Sequence, residues 1–563
     1  MHRACLPIVA LCSLASMCAA APEPAPSPEQ LRKEFPPTFN WPDRRPIGTI
    51  FLAASGKNWP GNPRGYFHDE KLDIRTEQGR ADLRTRMLKV ADDAIAYTRE
   101  VGGQGVIVWD LEGGEFLHAT TYVGDPRVLP KVAPEMDAIA DEFFRKFKDA
   151  NMPVGICIRP SKIVFKDPSD PTKWAHIKTA YGHTHMVDPV EEVVSKIDYA
   201  RKRWGCTIYY MDTNVTLERD AAGNMLRDAQ DKPKLRLLTA AEMREIQRKH
   251  PDVLTWPEFQ TPGYFASSTG YGEFHTIADI DVKERAIYPD AFRVWATRMQ
   301  EDDIYRDWDK FLAAGIKQRD VFLFQIMPVK NGMGPLLQRA YEDAASNDAP
   351  PRDLDALITT ARDHKSWALR RRSIVALGDH KEPSATAALA AIVEKNTDAL
   401  ELFAARALAK QNTDESFKVL LAMLEKPGRP AFAAAFGLGA SGRAEAVAPL
   451  IRAFEATKEF QTRWAIIDAL GELKKPEAVP MLAANLRALA KGTGVVSRVK
   501  TIRALGAIGD RAAIAPLLEA LADKTFEPQR PLIARALRQI TGIASESQSE
   551  AYWRKAVSTQ PNR

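Results

Sequence analysis

Acidic side chains recur in this sequence where apolar, β-branched runs come to an end. Val106-Ile-Val-Trp109-Asp110-Leu-Glu112-Gly-Gly114 sets two carboxylates two residues apart, with glycines opening space beyond them. Cys157-Ile-Arg159-Pro160 brings an arginine to the end of the next run. Tyr210-Met-Asp212-Thr-Asn214 brings an aspartate, and Trp256-Pro-Glu258-Phe-Gln260 a glutamate. Tyr264, Tyr271, Asp279, Asp281, Trp295 and Gln325 follow at or near later run ends. Taken singly, a strand-end carboxylate most often caps a loop or pairs with an arginine, and a tryptophan there most often packs in a core. Four successive ends carrying Asp, Glu or Arg, with Trp109, Trp256 and Trp295 nearby, make a different case. One ionised and one protonated carboxyl group across an aromatic-walled pocket can split a glycosidic bond. Asp212, Glu258, Asp279 and Asp281 are the catalytic candidates. Trp109, Asp110, Glu112, Arg159, Tyr210, Asn214, Trp256, Tyr264, Trp295 and Gln325 are the candidates for holding a carbohydrate substrate.

Other chemistries find less support. His176, His183 and His185 lack the carboxylate or further histidine that would complete a metal-ligand set, so no metal and no cofactor is expected. Ser267-Ser-Thr-Gly270 is not a nucleophile elbow, and Gly102-Gly-Gln-Gly105 precedes a strand instead of following one, as a turn would. Asp125-Pro-Arg127 reads as a turn cap beside the cleft.

The elements that must position these residues lie between about 45 and 345. Strands are expected at Ile47–Ala53, Gly105–Leu111, Val154–Pro160, Thr207–Thr213, Val253–Phe259, His275–Ile280, Phe292–Ala296 and Val321–Met327. Each is short and nearly continuous in apolar residues, as parallel strands buried on both faces are. Amphipathic helices alternate with them, as at Leu83–Glu100, Ala133–Asp149, Pro189–Arg203, Ala240–Lys249 and Tyr305–Ala314. Eight βα units predict a (β/α)8 TIM barrel with its site at the C-terminal strand ends. A doubly wound sheet would want a glycine-rich phosphate loop, and none follows a strand.

Beyond residue 352 strands vanish and alanine and leucine dominate, so the fold class is α/β plus all-α. Ala-Leu-Gly or a variant recurs, with its leucine at positions 377, 408, 438, 470, 505 and 537. Such a period implies stacked helical hairpins, the small residues allowing close approach and Gly or Asp ending each helix. Pro449, Pro480 and Pro516 fall at matching places in the second helices. These residues resemble the HEAT-like repeats of phycobilisome-lyase-type proteins, which implies an α-solenoid used for scaffolding or docking. The resulting layout is an export signal at 1–21, a Pro-rich segment at 22–44, the barrel at 45–345 and a linker at 346–352. The repeats follow at 353–545 and a tail at 546–563.

A second resemblance concerns the barrel. Tyr210-Met-Asp212-Thr-Asn214 looks like the Lys-x-Asp-x-Asn nucleophile motif of the α-galactosidase-type clan of retaining glycoside hydrolases, and Gly155-Ile-Cys-Ile-Arg-Pro160 like its preceding Gly-x-Trp-x-x-Pro strand. The resemblance implies Asp212 as nucleophile and Asn214 as a substrate-positioning residue, with Tyr210 standing where the clan has lysine. Ala278-Asp279-Ile-Asp281-Val-Lys-Glu-Arg285 is similar to the clan's acid/base stretch with spacing changed by one, and Glu258 competes for that role. The alternative is a non-catalytic barrel that binds carbohydrate or protein beside an interaction solenoid.

The N-terminus sets the compartment. Arg3, the apolar stretch Ala4–Met17 and the small residues Cys18-Ala-Ala-Ala21 read as a cleavable export signal, placing the protein in the periplasm or outside the cell. Met17 is bulky for a lipoprotein signal. Cys5, Cys12 and Cys18 lie in this segment; Cys157 and Cys206 read as buried thiols. The net charge of +5 conceals an asymmetry. Residues 350–563 hold 32 Lys and Arg against 23 Asp and Glu, a net of +9, and residues 1–349 a net of −4. Behind an export signal, a basic solenoid suits an acidic glycan, envelope surface or protein partner instead of nucleic acid, and membrane contact is peripheral at most.

Overall fold

A computed structural model describes residues 27–559 apart from 54–58, 115–122, 166–180, 186–187, 229, 275–282, 298–307, 309–311, 328–332, 396–398, 491–493 and 546. The export segment 1–21 therefore lies outside the described residues, as do His176, Asp279 and Asp281. The chain divides into two compact units between Ala344 and Ala345. Among the described residues no helix is long and apolar enough to cross a membrane.

The first unit is a nearly closed barrel of eight parallel strands. They are β1 (Ile47–Phe51), β2 (Gly105–Trp109), β3 (Val154–Ile158), β4 (Ile208–Met211), β5 (Leu254–Pro257), β6 (Gly270–Phe274), β7 (Arg293–Thr297) and β8 (Val321–Met327). They pair in the order β6-β7-β8-β1-β2-β3-β4-β5. The amide of Thr269 reaches the Thr255 carbonyl at 3.4 Å and the Gln260 side chain donates to the Tyr271 carbonyl at 2.9 Å, linking the two edges of the sheet. Period-two alternation sends Ile47, Ile107, Cys157, Ile208, Leu254, Val294 and Val321 into one interior core.

Helices wrap the outside because their apolar residues recur on one face. These are α1 (Pro28–Glu34), α2 (Glu77–Glu100), α3 (Pro134–Asp149), α4 (Pro189–Trp204), α5 (Ala240–Lys249) and α6 (Met333–Ala345). In α3 that face is Met136, Ile139, Ala140, Phe143, Phe144 and Phe147, all buried. Residues 27–44 of the Pro-rich segment are folded onto the barrel. Ser27 caps α1, Leu31 and Phe35 pack with Phe265 and Tyr288, and Phe39 and Trp41 pack against the barrel core.

One strand differs from expectation. The sixth runs through Gly270–Phe274, whereas residues 275–280, expected to form it, fall outside the described set. Gly270 and Gly272 resemble turn residues, but a Cβ at Gly272 would lie 2.0 Å from the Trp295 ring, and one at Gly270 2.0 Å from Gln260 Oε1. Glycine is there so that neighbouring side chains can lie against the strand.

The second unit is a stack of helical hairpins. First helices at Trp367–Leu377, Glu401–Gln411, Arg429–Ala440, Phe460–Leu473, Val495–Ile508 and Arg530–Thr541 alternate with second helices such as Asp414–Leu424, Val447–Ala456 and Ile514–Ala522. Pro449, Pro480 and Pro516 all sit in first turns, where a missing N–H costs nothing. Of the repeated glycines, Gly378 caps its helix as expected, but three others do not. Gly439, Gly471 and Gly506 lie inside their helices and face the first helix of the next repeat. A Cβ on Gly439 would come within 2.7 Å of Ala469 Cα, and one on Gly471 within 3.0 Å of Ala504 Cα. The C-terminal tail contributes a final helix, Glu550–Ser558, whose Trp553 is fully buried.

Replacing Gly439 by valine should therefore force neighbouring repeats apart. Overpacking of this kind costs about 1–3 kcal/mol. The loss should appear as an earlier helical melt in circular dichroism, and an unchanged melt would contradict the close-contact role.

Candidate functional site

The C-terminal ends of β2, β3, β4 and β5 hold a compact set of ionisable groups. Alternation points Arg159, Asp212 and Glu258 inward, one row beyond Cys157, Tyr210 and Trp256. Asp110 would point outward by the same rule. Its φ of +58° places it in the left-handed region, which ends the alternation at that residue. Aspartate tolerates such a backbone better than most residues, at roughly 1–2 kcal/mol. Thr213, following Asp212, is also left-handed at φ +48°.

Arg159 is the hub. Its Nε donates to Asp212 Oδ2 at 2.5 Å and Nη2 pairs with the same oxygen, both side chains being largely buried. Its Nη1 donates to His183 Nε2 at 3.0 Å, and His183 Nδ1 lies 2.9 Å from Ser161 Oγ. An arginine donor at Nε2 leaves the imidazole proton on Nδ1, where it bonds the serine oxygen. Glu258 accepts the Thr213 amide at 2.9 Å, while its own amide donates to the Met211 carbonyl at 2.9 Å, so β4 and β5 are tied at the rim.

Asp110 and Glu112 are buried beside this pair. Burial pushes the Asp110 carboxyl well above the usual range, reinforced by the charges of Glu112 and Asp212. Burial also raises Glu112 to about 7; the Asp125 charge adds to this, while the Asp125 amide, donating to Glu112 Oε1 at 3.0 Å, and Lys196 pull it back. Burial and the Asp212 charge raise the Cys157 thiol well above its ordinary value. Burial thus favours the protonated form of Asp110 within electrostatic reach of an arginine-bound carboxylate, the pairing that acid-assisted displacement requires.

The structure places the remaining candidates less uniformly. Trp109, Tyr210 and Trp256 fill the barrel interior as packing, not as an open sugar platform. Trp109 stacks on Phe51 at 4.9 Å, and Tyr210 lies 5.7 Å from Trp109, 6.4 Å from Trp256 and 5.1 Å from Tyr271. Trp256 is 0% exposed. Trp295 faces away from the interior altogether. Val294 and Ala296 take the inward positions, and the Trp295 indole donates to Asp320 Oδ2 at 3.0 Å, beside the N-terminal end of β8. Asn214 is locked by the backbone of Phe259, donating to its carbonyl at 2.9 Å and accepting its amide at 2.8 Å. The Tyr264 hydroxyl donates to the Leu238 carbonyl. Both side chains are buried and tie the loops after β4 and β5 in place. Gln325 is half-buried beside Thr49, its amide donating to the Met327 carbonyl at 3.3 Å.

Several residues escaped the sequence reading. His183 and Ser161 complete the Arg159 cluster. Asp125 does cap its turn, accepting the Arg127 amide at 3.1 Å, but it also binds the Arg127 guanidinium and approaches Lys196 at 3.6 Å. Glu192 pairs with Arg127 and lies 3.3 Å from Lys196. A signal existed: Lys196 interrupts the apolar face formed by Val193, Ile197, Ala200 and Trp204 on α4. No three His, Cys, Asp or Glu side chains converge as a metal set among the described residues.

Comparison with known proteins finds similarity in the second unit. Residues 354–433 and 430–489 match the family model described as HEAT repeats, and residues 497–523 match the PBS lyase HEAT-like repeat. Among solved structures, the complex of CpcE and CpcF of phycocyanin lyase from Nostoc sp. PCC7120 is matched at 19% identity and a TM-score of 0.24. The match covers 38% of this chain and 97% of that one. No curated protein matches the chain.

Proposed function

We propose that the first unit is a (β/α)8 glycoside hydrolase, exported from the cytoplasm, and that the HEAT-like solenoid docks it to a protein or acidic glycan. The observation that carries this reading is the buried Asp110, whose carboxyl is pushed well above the usual range by burial, beside the arginine-bound Asp212 at the C-terminal end of a parallel barrel. Arg159 holds Asp212 at Oδ2, and Asp212 Oδ1 is the attacking oxygen in this reading. Asp110 gives its proton to the glycosidic oxygen as that bond to the anomeric carbon breaks and Asp212 bonds to the carbon. Water then attacks the same carbon, the Asp110 carboxylate takes its proton and Asp212 leaves, with net retention. Asp110 thus takes the acid role for which Glu258, Asp279 and Asp281 were candidates, and Glu258 steadies Thr213 beside the nucleophile.

Asp110→Asn should lower turnover on a responsive glycan by about 10²–10⁴-fold. Glu258→Gln should lower it far less. The reverse order, measured as initial rates across a panel of plant, algal and host-type glycans, would move the acid role to Glu258. A second reading, a barrel that binds without reacting, draws support from Tyr210, which is buried in the interior where the clan carries a substrate-gripping lysine. Binding of a glycan by wild type and Asp212→Asn alike, with no product from either, would favour it.

A further inference from the structure

We infer that Lys196 is a positioning residue for this site: its ammonium fixes the backbone that carries Arg159 and so sets the Arg159–Asp212 pair. The inference rests on Asp212 being the reacting carboxylate, but its test does not depend on turnover.

Lys196 is 0% exposed and occupies a core-facing position on α4, where a leucine or methionine would be the ordinary occupant. Burying an ammonium is costly unless its donors are met. Here Nζ donates to the Arg159 carbonyl at 2.7 Å and to the Ser161 carbonyl at 2.6 Å, with Glu192 at 3.3 Å and Asp125 at 3.6 Å. The two carbonyls flank Pro160, which has no N–H of its own to anchor the segment. They lie just past the end of β3, so the ladder does not hold them. The Arg159 amide is held from the other side by the Gly124 carbonyl at 2.9 Å. With both main-chain groups fixed, the guanidinium is aimed at Asp212 and His183. Ser161, on the same stretch, receives the other edge of that histidine. Lys196 thereby pins both ends of the Arg159–His183–Ser161 arrangement from outside the barrel. Arg127, the other cation of the cluster, binds Asp125, Glu192 and Ser195 and reaches none of these carbonyls.

The test follows the Arg159 Nε–H signal in full-length protein labelled with ¹⁵N-arginine, assigned by its loss in Arg159→Lys. Arg203, whose Nε donates to Asp141 at 2.6 Å from the same helix, is the internal control. In Lys196→Met the Arg159 signal should exchange with solvent at least about tenfold faster while Arg203 is unchanged, because the side chain is no longer held against its carboxylate. Lys196→Arg, which can still donate to both carbonyls, should restore protection. A folded Lys196→Met protein with Arg159 as protected as in wild type would overturn the proposal. If the methionine variant also loses the Arg203 signal, Lys196→Arg decides: protection of Arg159 supports the role and fast exchange overturns it. On a glycan that wild type cleaves, Lys196→Met should lower kcat by about 10²-fold with KM changed less than about twofold, since misplacement affects the reacting geometry more than binding. A wild type that cleaves no glycan would refute the hydrolase reading and leave the exchange result standing.

Discussion

Asp212→Asn is expected to abolish turnover while leaving the barrel folded, and Asp212→Ala to lose both turnover and stability. The difference follows from what each change leaves behind. Asparagine keeps an oxygen where Arg159 Nε and Nη2 now converge, so the guanidinium still has an acceptor. Alanine removes it and breaks a buried ion pair, a change that typically costs about 3–5 kcal/mol. Neither variant has a nucleophile, so turnover should fall by at least about 10³-fold in both. A double change, Arg159→Met with Asp212→Leu, separates the roles. Replacing a whole buried pair by apolar groups of similar volume is often neutral or stabilising. The double variant should therefore recover the stability lost by Asp212→Ala, read as the urea midpoint of tryptophan fluorescence, yet remain inactive. Residual turnover above about one per cent in Asp212→Asn would remove Asp212 from the chemistry altogether.

How much of this was legible in the residues depends on which physical signal each feature leaves. The apolar runs around Val106, Ile156, Ile208, Leu254 and Leu323 mark strands buried on both faces, and seven of the eight expected strands lie where those runs are. The rim carboxylates followed directly, because a parallel barrel gathers strand ends at one mouth. The orientation of Trp295 is legible as well, since strict alternation with inward Val294 turns it away. Other features leave no local trace. Nothing in Asp110 announces a left-handed backbone, and the glycines of β6 look like a turn until Trp295 is seen against Gly272. The solenoid glycines were visible as a period, but whether they end a helix or seat the next one depends on contacts some 30 residues away. Lys196 is the opposite case: a charge on an apolar helix face is a visible contradiction, and its explanation is the pair of carbonyls flanking Pro160.

A pH effect that falls near neutrality should come from Glu112. Its carboxyl titrates near 7 in the folded chain against an ordinary value of 4.5, chiefly because it is buried. A raised folded value means that the native state holds its proton more tightly than the unfolded chain does. Stability from this group is therefore complete below pH 4.5 and is lost as pH rises through 7. The full swing is on the order of 3 kcal/mol. Glu112→Gln keeps an oxygen for the Asp125 amide and removes the titration. Wild type and variant should be nearly equally stable at pH 4.5, and the variant should exceed wild type progressively from pH 5 to 8. Asp110 titrates in the same sense and leaves a residual slope in both proteins. The reaction should register the same event. Once Glu112 ionises, its charge binds the Asp110 proton more firmly and makes Asp110 a weaker donor, so wild-type turnover should decline through pH 7. In Glu112→Gln that decline should move to higher pH. Parallel stability curves for the two proteins from pH 4.5 to 8 would mean that Glu112 is ionised throughout, and the proton held at this rim would then belong to Asp110 alone.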